Sequence, residues 1–264
     1  MDHLSWEKQG QIASVLIQSP PANALSSGIL KDLSKVLDEV EADKSIKLVI
    51  LRGEGKFFSA GADIKEFTSF QQQDDYKNLA QKGQQLFDRI ERFHIPVIAS
   101  IHGAALGGGL ELAMACHVRI ATKDTKLGLP ELNLGIIPGF AGSQRLPRYV
   151  GIPKAYEMIL SGDPISGVEA ERLGLVNHAV DESELEEQTM SLANKFVAKS
   201  GPSIHAIMSL LPYAQTSQFL EGVNAEADQF GKVFGNEDAK EGVQALLKSV
   251  NQTLKINRYK EVIQ

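Results

Sequence analysis

The stretch "IPVIASIHGAALGGGLELAMACHVRIAT", Ile95–Thr122, carries the reading of the fold. Its first part, Ile95–Gly103, is an apolar run of strand length, and its last, Cys116–Thr122, is another. Between them lies "LGGGLELAMA" (Leu106–Ala115), where three glycines open a short helix beginning near Gly107. Strand, helix and strand in succession favour an α/β fold. One residue stands out. From Ile95 to Cys116 the only polar side chains besides Glu111 are Ser100 and His102. An ionised acid buried without partners is costly, so Glu111 needs a reason to be there.

The alternation extends toward the N-terminus. "QIASVLIQ" (11–18) and "KLVILRG" (47–53) read as strands. "SPPANAL" (19–25) is a break made by two prolines, after which Ser26 or Ser27 caps a helix with Leu30, Leu33, Leu37 and Val40 at helical spacing. "EGKFFSAGAD" (54–63) is a loop, and 74–92 is a polar helix with Leu79, Leu86, Phe87 and Ile90 on one face. After "LPELNLGIIPGFAGSQRL" the pattern turns mostly helical. "DESELEEQTMSLANKFVAKS" (181–200) starts acidic and ends basic, as the helix dipole favours. "GP" at 201–202 is expected to break it, and 203–249 read as two or three more helices. The expected organisation is an α/β core over 1–200 and a helical region over 201–264.

Composition bounds the function classes. Of 264 residues, 43% are hydrophobic and 23% charged, the balance of a soluble globular protein with a substantial core. The net charge of -6 counts against nucleic acid or an anionic membrane surface as the main partner. The apolar run 95–116 is long enough for a bilayer, but Pro96, Gly103, Gly107, Gly108, Gly109 and Glu111 read it as buried core. The single cysteine, Cys116, allows no intrachain disulfide and reads as a buried structural thiol, which fits a reducing compartment. "MDHLSWEKQG" has no basic region followed by an apolar core, so the expected location is cytoplasmic. His94, His102 and His117 lack metal-ligand spacing and read as core or surface residues, and no metal is expected.

Three glycine-containing loops follow buried elements. In "FSAGADIKEF", Gly61 permits a sharp turn, and a helix starting near Ile64 would point the N–H groups of Ala62, Asp63 and Ile64 outward, as anion and oxyanion sites do. The same loop also reads as a plain strand-to-helix turn capped by Asp63. "HGAALGGGLELA" fails the G-x-G-x-x-G spacing at Leu112, yet its glycines again expose N–H groups at a helix start, with Glu111 about one turn inside. Its other reading is tight helix packing, with Glu111 satisfying amides. In the third loop, Pro130 and Glu131 resemble the first turn of a short helix. Ser59 in "FFSAG" is not a nucleophile elbow, because Phe57 stands where that motif needs glycine.

Together the loops say more than any one of them. Glu111 and Glu131 stand twenty residues apart, each set in glycine-rich apolar sequence. With "NAL" (23–25), "AGADIKEF" (60–67), "AALGGGLELAMAC" (104–116), "PELNLGIIPG" (130–139) and "GSQRLPRYVG" (142–151), the chain resembles the crotonase superfamily, most closely its enoyl-CoA hydratases. The resemblance implies a spiral of strand–strand–helix turns with a C-terminal helical region that builds trimers, often paired as hexamers. It implies an acyl-CoA thioester substrate and no cofactor beyond the CoA of that substrate. The thioester oxygen would sit between the N–H groups of Ala62 and Gly108. Glu111 and Glu131 would hold a water for addition across a C2–C3 double bond, with the Gly139 N–H helping to place it. CoA contacts carry over to Ala24, Ala60, Asp63, Ile64 and Lys65. Lys56 is placed to meet a CoA phosphate and reads equally as a solvated lysine.

Some residues depart from the family pattern. Pro20 and Pro21 stand where a basic residue is frequent, Phe140 takes volume near the acyl end where a small residue is common, and "CH" at 116–117 replaces a frequent "CD". Relatives that only move a double bond often keep just the second glutamate, so the pair favours a hydratase over an isomerase or another acyl-CoA lyase. A non-catalytic crotonase-like binding protein is the alternative of another class.

Overall fold

The computed structural model describes residues 1, 3–63, 66, 72–246 and 248. Two compact units divide the chain, Met1–Ala198 and a helical unit beginning at Lys199.

The first unit is wound around a parallel sheet. Helix α1 (Ser27–Ala42) starts where the Ser26 hydroxyl accepts the Ile29 N–H at 3.3 Å, and its buried face carries Ile29, Leu33, Val36 and Val40. By returning the chain, α1 lets β2 (Ile12–Ile17) and β3 (Leu48–Gly53) pair in parallel. The sheet continues through β4 (Val97–Ile101), β6 (Val118–Thr122) and β9 (His178–Val180), while β1 (Leu4–Gln9) closes the other edge antiparallel to β2. Every residue of β4 is buried, as a strand covered on both faces requires. Helices α1, α2 (Gln73–Glu91) and α3 (Gly108–Ala115) contribute to the main core on one face. On the other face, Leu185 and Ala193 of α7 (Leu185–Val197) pack with Ile12, Leu48, Ile50, Ile98 and Ile120.

A second, small sheet joins β5 (Ala104–Leu106), β7 (Lys126–Gly128) and β8 (Ile165–Ser166). Two successive turns run from a strand of the large sheet to one of the small sheet and then into helix. The sequence β4, β5, α3 is followed by β6, β7 and a helical segment. That segment holds a 3₁₀ turn (Glu131–Leu134), α4 (Gly142–Val150) and α5 (Ile152–Ser161), ahead of β8 and α6 (Gly167–Arg172). Ser59 bridges to Ala105 and begins the same pattern one turn earlier. This is the α/β crotonase-like winding that the resemblance implies. Cys116, at the end of α3, is buried with its thiol donating to the Leu112 carbonyl at 3.4 Å, and burial pushes that thiol up to about 12.

The second unit holds α8 (Gly201–Leu210), α9 (Phe219–Phe234) and helical residues 237–246. The "GP" at 201–202 is more than a break. Gly201 and Pro202 open α8, because proline's missing N–H costs nothing in a first turn. Phe219, Leu220, Phe230 and Phe234 are exposed. Among the described residues no helix is long and apolar enough to cross a membrane.

Candidate active site

The site begins at Gly107. Its φ of 51° and ψ of -128° place it where only glycine is at ease, and a Cβ there would lie 3.0 Å from Glu131 Oε1. The turn it makes sets Gly108 as the first residue of α3, where a backbone N–H has no acceptor within the helix. Beside it runs the 60–63 loop. Leu25 and Ala62 bridge in parallel: the Leu25 N–H donates to the Gly61 carbonyl at 2.7 Å, and the Asp63 N–H to the Leu25 carbonyl at 3.1 Å. That pairing leaves the Ala62 N–H out of the bridge. A Cβ on Gly108 would lie 3.4 Å from the Ala62 nitrogen, so two N–H donors from separate loops are neighbours. Among the described residues neither is used in a backbone hydrogen bond.

Glu111 lies one turn into α3 and is 1% exposed. Its Oε1 accepts the Phe140 N–H at 2.8 Å and the Gly142 N–H at 2.6 Å, which offsets part of the cost of burying it. Burial first, and then the charge of Glu131, push its carboxyl up to about 7, while the two amides and the Arg145 charge act in the other direction. Glu131 is half-buried in the 3₁₀ turn, and burial raises its proton affinity too. Among the described residues its buried Oε2 has no hydrogen-bond partner. Two neighbouring acids with raised proton affinity titrate as a coupled pair, the charge on one favouring the proton on the other.

The loop that holds Glu111 is itself held by α2. Gln84 Nε2 donates to the Gly139 carbonyl at 2.9 Å. The Phe140 ring fills the notch at Gly83, where a Cβ would come within 2.3 Å of it, and meets Phe87 edge-on at 5.3 Å. Arg145, 3% exposed, donates from Nη1 to the Phe140 carbonyl at 2.8 Å, from Nη2 to Asp88 at 2.5 Å and from Nε to Glu91 at 2.9 Å. The sequence reading assigned none of Gln84, Asp88 or Arg145. The available signal was Asp88 and Glu91, two acids three positions apart on one helix face.

The remaining predicted residues fall as follows. Asn23, also unassigned from sequence, is buried at φ 52°. Its Nδ2 donates to the carbonyls of Glu54 and Phe57 and its Oδ1 accepts the Ser19 N–H, which ties the 19–25 break to the 54–63 loop. The Ala60 N–H reaches the Ala22 carbonyl at 2.9 Å, so the segments of Ala24 and Ala60 lie side by side. Ala24 and Asp63 are half-buried, and Lys56 and Ala60 are exposed. Ile64 and Lys65 lie outside the described residues. Gly139 stands in the loop beside Glu111, but the amides that reach that carboxylate belong to Phe140 and Gly142. The Phe140 ring is a buried wall against Gly108, whose Cβ position is 3.2 Å from it. Ser59 is wholly buried and its hydroxyl donates to the Asn23 carbonyl at 2.8 Å, a structural bond.

Comparison with known proteins gives the same direction. Residues 7–253 match the family model described as enoyl-CoA hydratase/isomerase. The chain is 58% identical to a probable enoyl-CoA hydratase of Bacillus subtilis over 248 residues, covering 94% of this chain and 96% of the relative. It is 38% identical to a short-chain-enoyl-CoA hydratase of Clostridium acetobutylicum over 249 residues, 94% of this chain and 95% of that one. The crystal structure of an enoyl-CoA hydratase from Bacillus anthracis superimposes with a TM-score of 0.88 at 32% identity, over 94% of this chain and 96% of that one. With its double winding, its paired amides and a match along nearly its whole length, the chain belongs to the enoyl-CoA hydratase/isomerase family.

Proposed function

We propose that the chain is an enoyl-CoA hydratase that adds water across the C2–C3 double bond of a trans-2-enoyl-CoA to give the 3-hydroxyacyl-CoA. The observation that carries this reading is the pairing of Glu111 and Glu131, both with raised proton affinity, beside the neighbouring N–H groups of Ala62 and Gly108.

The thioester oxygen is held by the N–H groups of Ala62 and Gly108. They polarise the conjugated system, making C3 electrophilic, and stabilise the enolate charge that develops on oxygen. One such donor is worth roughly 10²–10³ in rate. In the form of the coupled pair that carries its proton on Glu131, Glu111 takes a proton from the water, whose oxygen bonds to C3. Neutral Glu131 delivers a proton to C2, and the proton taken from the water, now on Glu111, passes to Glu131 to reset the pair, so the net addition is one water. Each proton-transfer group supplies on the order of 10²–10⁴. Gly139 borders the water, and Ala24, Ala60 and Asp63 line the CoA path, with Lys56 meeting a CoA phosphate. Hydration needs no cofactor beyond the CoA carried by the substrate.

The name of the Clostridium acetobutylicum relative supports short-chain substrates. We also assign the chain to the cytoplasm and to a homotrimer or pair of trimers. The assembly is supported by exposed apolar side chains, among them Ile137, Ile152 and Leu160 in the first unit and Leu220 and Phe230 in the second. The functional test is incubation with crotonyl-CoA, following the absorbance of the conjugated thioester and the mass of the product. Loss of absorbance with gain of one water is the expected result. Migration of a double bond in 3-enoyl-CoA with no hydration of crotonyl-CoA would replace this reading with an isomerase.

A further inference from the structure

Phe140 is gripped at both ends of its own backbone. Its N–H is on Glu111 Oε1 at 2.8 Å and its carbonyl on Arg145 Nη1 at 2.8 Å. The next residue, Ala141, sits at φ 71° and ψ 26°, a left-handed conformation that strains a residue carrying a side chain. A loop carrying that strain relaxes unless it is held. Arg145 is built to hold it. A planar guanidinium reaches three acceptors on two elements at once, which a lysine ammonium on its flexible stem does not reproduce. Its other two arms are on Asp88 and Glu91 of α2, so the loop's position is referred to a nineteen-residue helix. The buried charge is itself satisfied by this pairing.

We propose that Arg145 is a positioning residue for hydration: its guanidinium clamps the Phe140 carbonyl to α2 and so aims the Phe140 and Gly142 amides that hold Glu111. The proposal rests on the hydratase reading for its kinetic consequences and stands on geometry alone for its effect on Glu111. Arg145 acts through the loop and touches no reacting atom. The charged groups around the Glu111 carboxyl are Glu131 from the 3₁₀ turn and Arg145 from α4. Asp88 and Glu91 stand behind Arg145 on α2, with Arg148 paired to Glu91. Loosening the clamp removes hydrogen bonds to charged Glu111 and shifts a positive charge, and both changes raise its proton affinity.

The test compares Arg145→Gln, Arg145→Lys and Asp88→Asn with the wild type. Asp88 is largely exposed, so its loss frees one arm of the clamp without stranding a buried charge. The readouts are kcat and KM for crotonyl-CoA, the pH profile of kcat, and the Glu111 titration by carboxyl ¹³C NMR, assigned from the signal missing in Glu111→Gln. Arg145→Gln is expected to lower kcat by about 10²-fold, the cost of a misplacement of around 1 Å, with KM little changed. The Glu111 midpoint should move up by about one pH unit. Arg145→Lys should restore most of the midpoint and little of kcat, because it keeps the charge and loses the fork. Asp88→Asn should move both readouts the same way by less. Folded variants with unchanged kcat and an unchanged Glu111 midpoint would overturn the proposal. So would a loss of kcat matched by KM with the midpoint fixed, which is what general loosening gives. If Arg145→Gln does not fold, Asp88→Asn decides on the same two readouts. A wild type that fails to hydrate crotonyl-CoA would remove the hydratase reading, while the ¹³C midpoints would still decide the clamp.

Discussion

Replacing Glu111 by glutamine should stabilise the protein in alkaline solution and leave it unchanged in acid. The carboxyl is 1% exposed, and its proton affinity rises from an ordinary 4.5 to about 7 on folding. Between those two values the folded chain holds a proton that the unfolded chain has released. Stability contributed by this group is therefore complete below pH 4.5 and falls as pH rises to 7. The loss is 1.36 kcal/mol per unit over the interval, about 3 kcal/mol in all. Glutamine never ionises, and its Oε1 still accepts the two amides of Phe140 and Gly142, so it escapes this penalty. Urea unfolding of wild type and Glu111→Gln at pH 5 and pH 8, at one protein concentration, measures the difference. The variants should be nearly equal at pH 5, with glutamine ahead by roughly 3 kcal/mol at pH 8. Removing the Glu111 charge also eases the burden on Glu131, which acts in the same direction. A difference that does not change with pH would mean that Glu111 is not held at raised proton affinity, and the coupled-pair argument for the site would fail. The same variant should lose roughly 10²–10⁴ of its hydration rate.

Glu131→Gln should also lose roughly 10²–10⁴ in kcat for crotonyl-CoA, and the double variant much less than the product of the two, because both acids act on one water. Additive losses in the logarithm of kcat would refute that shared action. Gly83→Ala sets two effects against each other. Alanine gains about 1 kcal/mol of helix propensity, but its Cβ would press within 2.3 Å of the Phe140 ring, which Gly108 backs on the far side. Overpacking of about 1–3 kcal/mol wins, so thermal unfolding should show a lower Tm, with kcat reduced through the displaced Phe140. Light scattering at micromolar concentration should give the mass of three or six chains, and a single-chain mass would exclude the assembly.

The long buried strands were legible because their residues declare themselves. β3, β4 and β6 are apolar runs that periodicity alone separates from loops. β5, β7 and β8 have only three, three and two residues, too few for any period, and they exist because the winding brings their backbones alongside one another. β1 was missed for a related reason: in "LSWEKQ" only Leu4 is buried, so an edge strand reads as a polar leader. In the site, Glu111 was legible as an anomaly, a lone acid among apolar residues. The N–H groups of Ala62 and Gly108 were legible through the glycines that permit their turns and through the family motif. Arg145, Gln84 and Asn23 were not. Each makes contacts thirty-one to fifty-seven positions away in sequence, and a polar residue looks solvated until the fold supplies its partner.

The lone thiol offers a way to watch the catalytic helix open. Cys116 terminates α3, the helix that carries Gly108 and Glu111. Burial moves its thiol from 9.0 to about 12, which alone cuts the reactive thiolate near pH 8 by roughly 10³, before any steric exclusion. A thiol reagent therefore labels the chain only during excursions that expose this helix end. When reclosing outpaces labelling, the observed rate divided by that of a small-molecule thiol gives the equilibrium constant for those excursions. With one cysteine in the sequence the signal has a single origin. Followed across urea concentrations, it separates breathing of the α3 end from unfolding of the whole chain, since local opening shows little denaturant dependence and global unfolding shows the full slope.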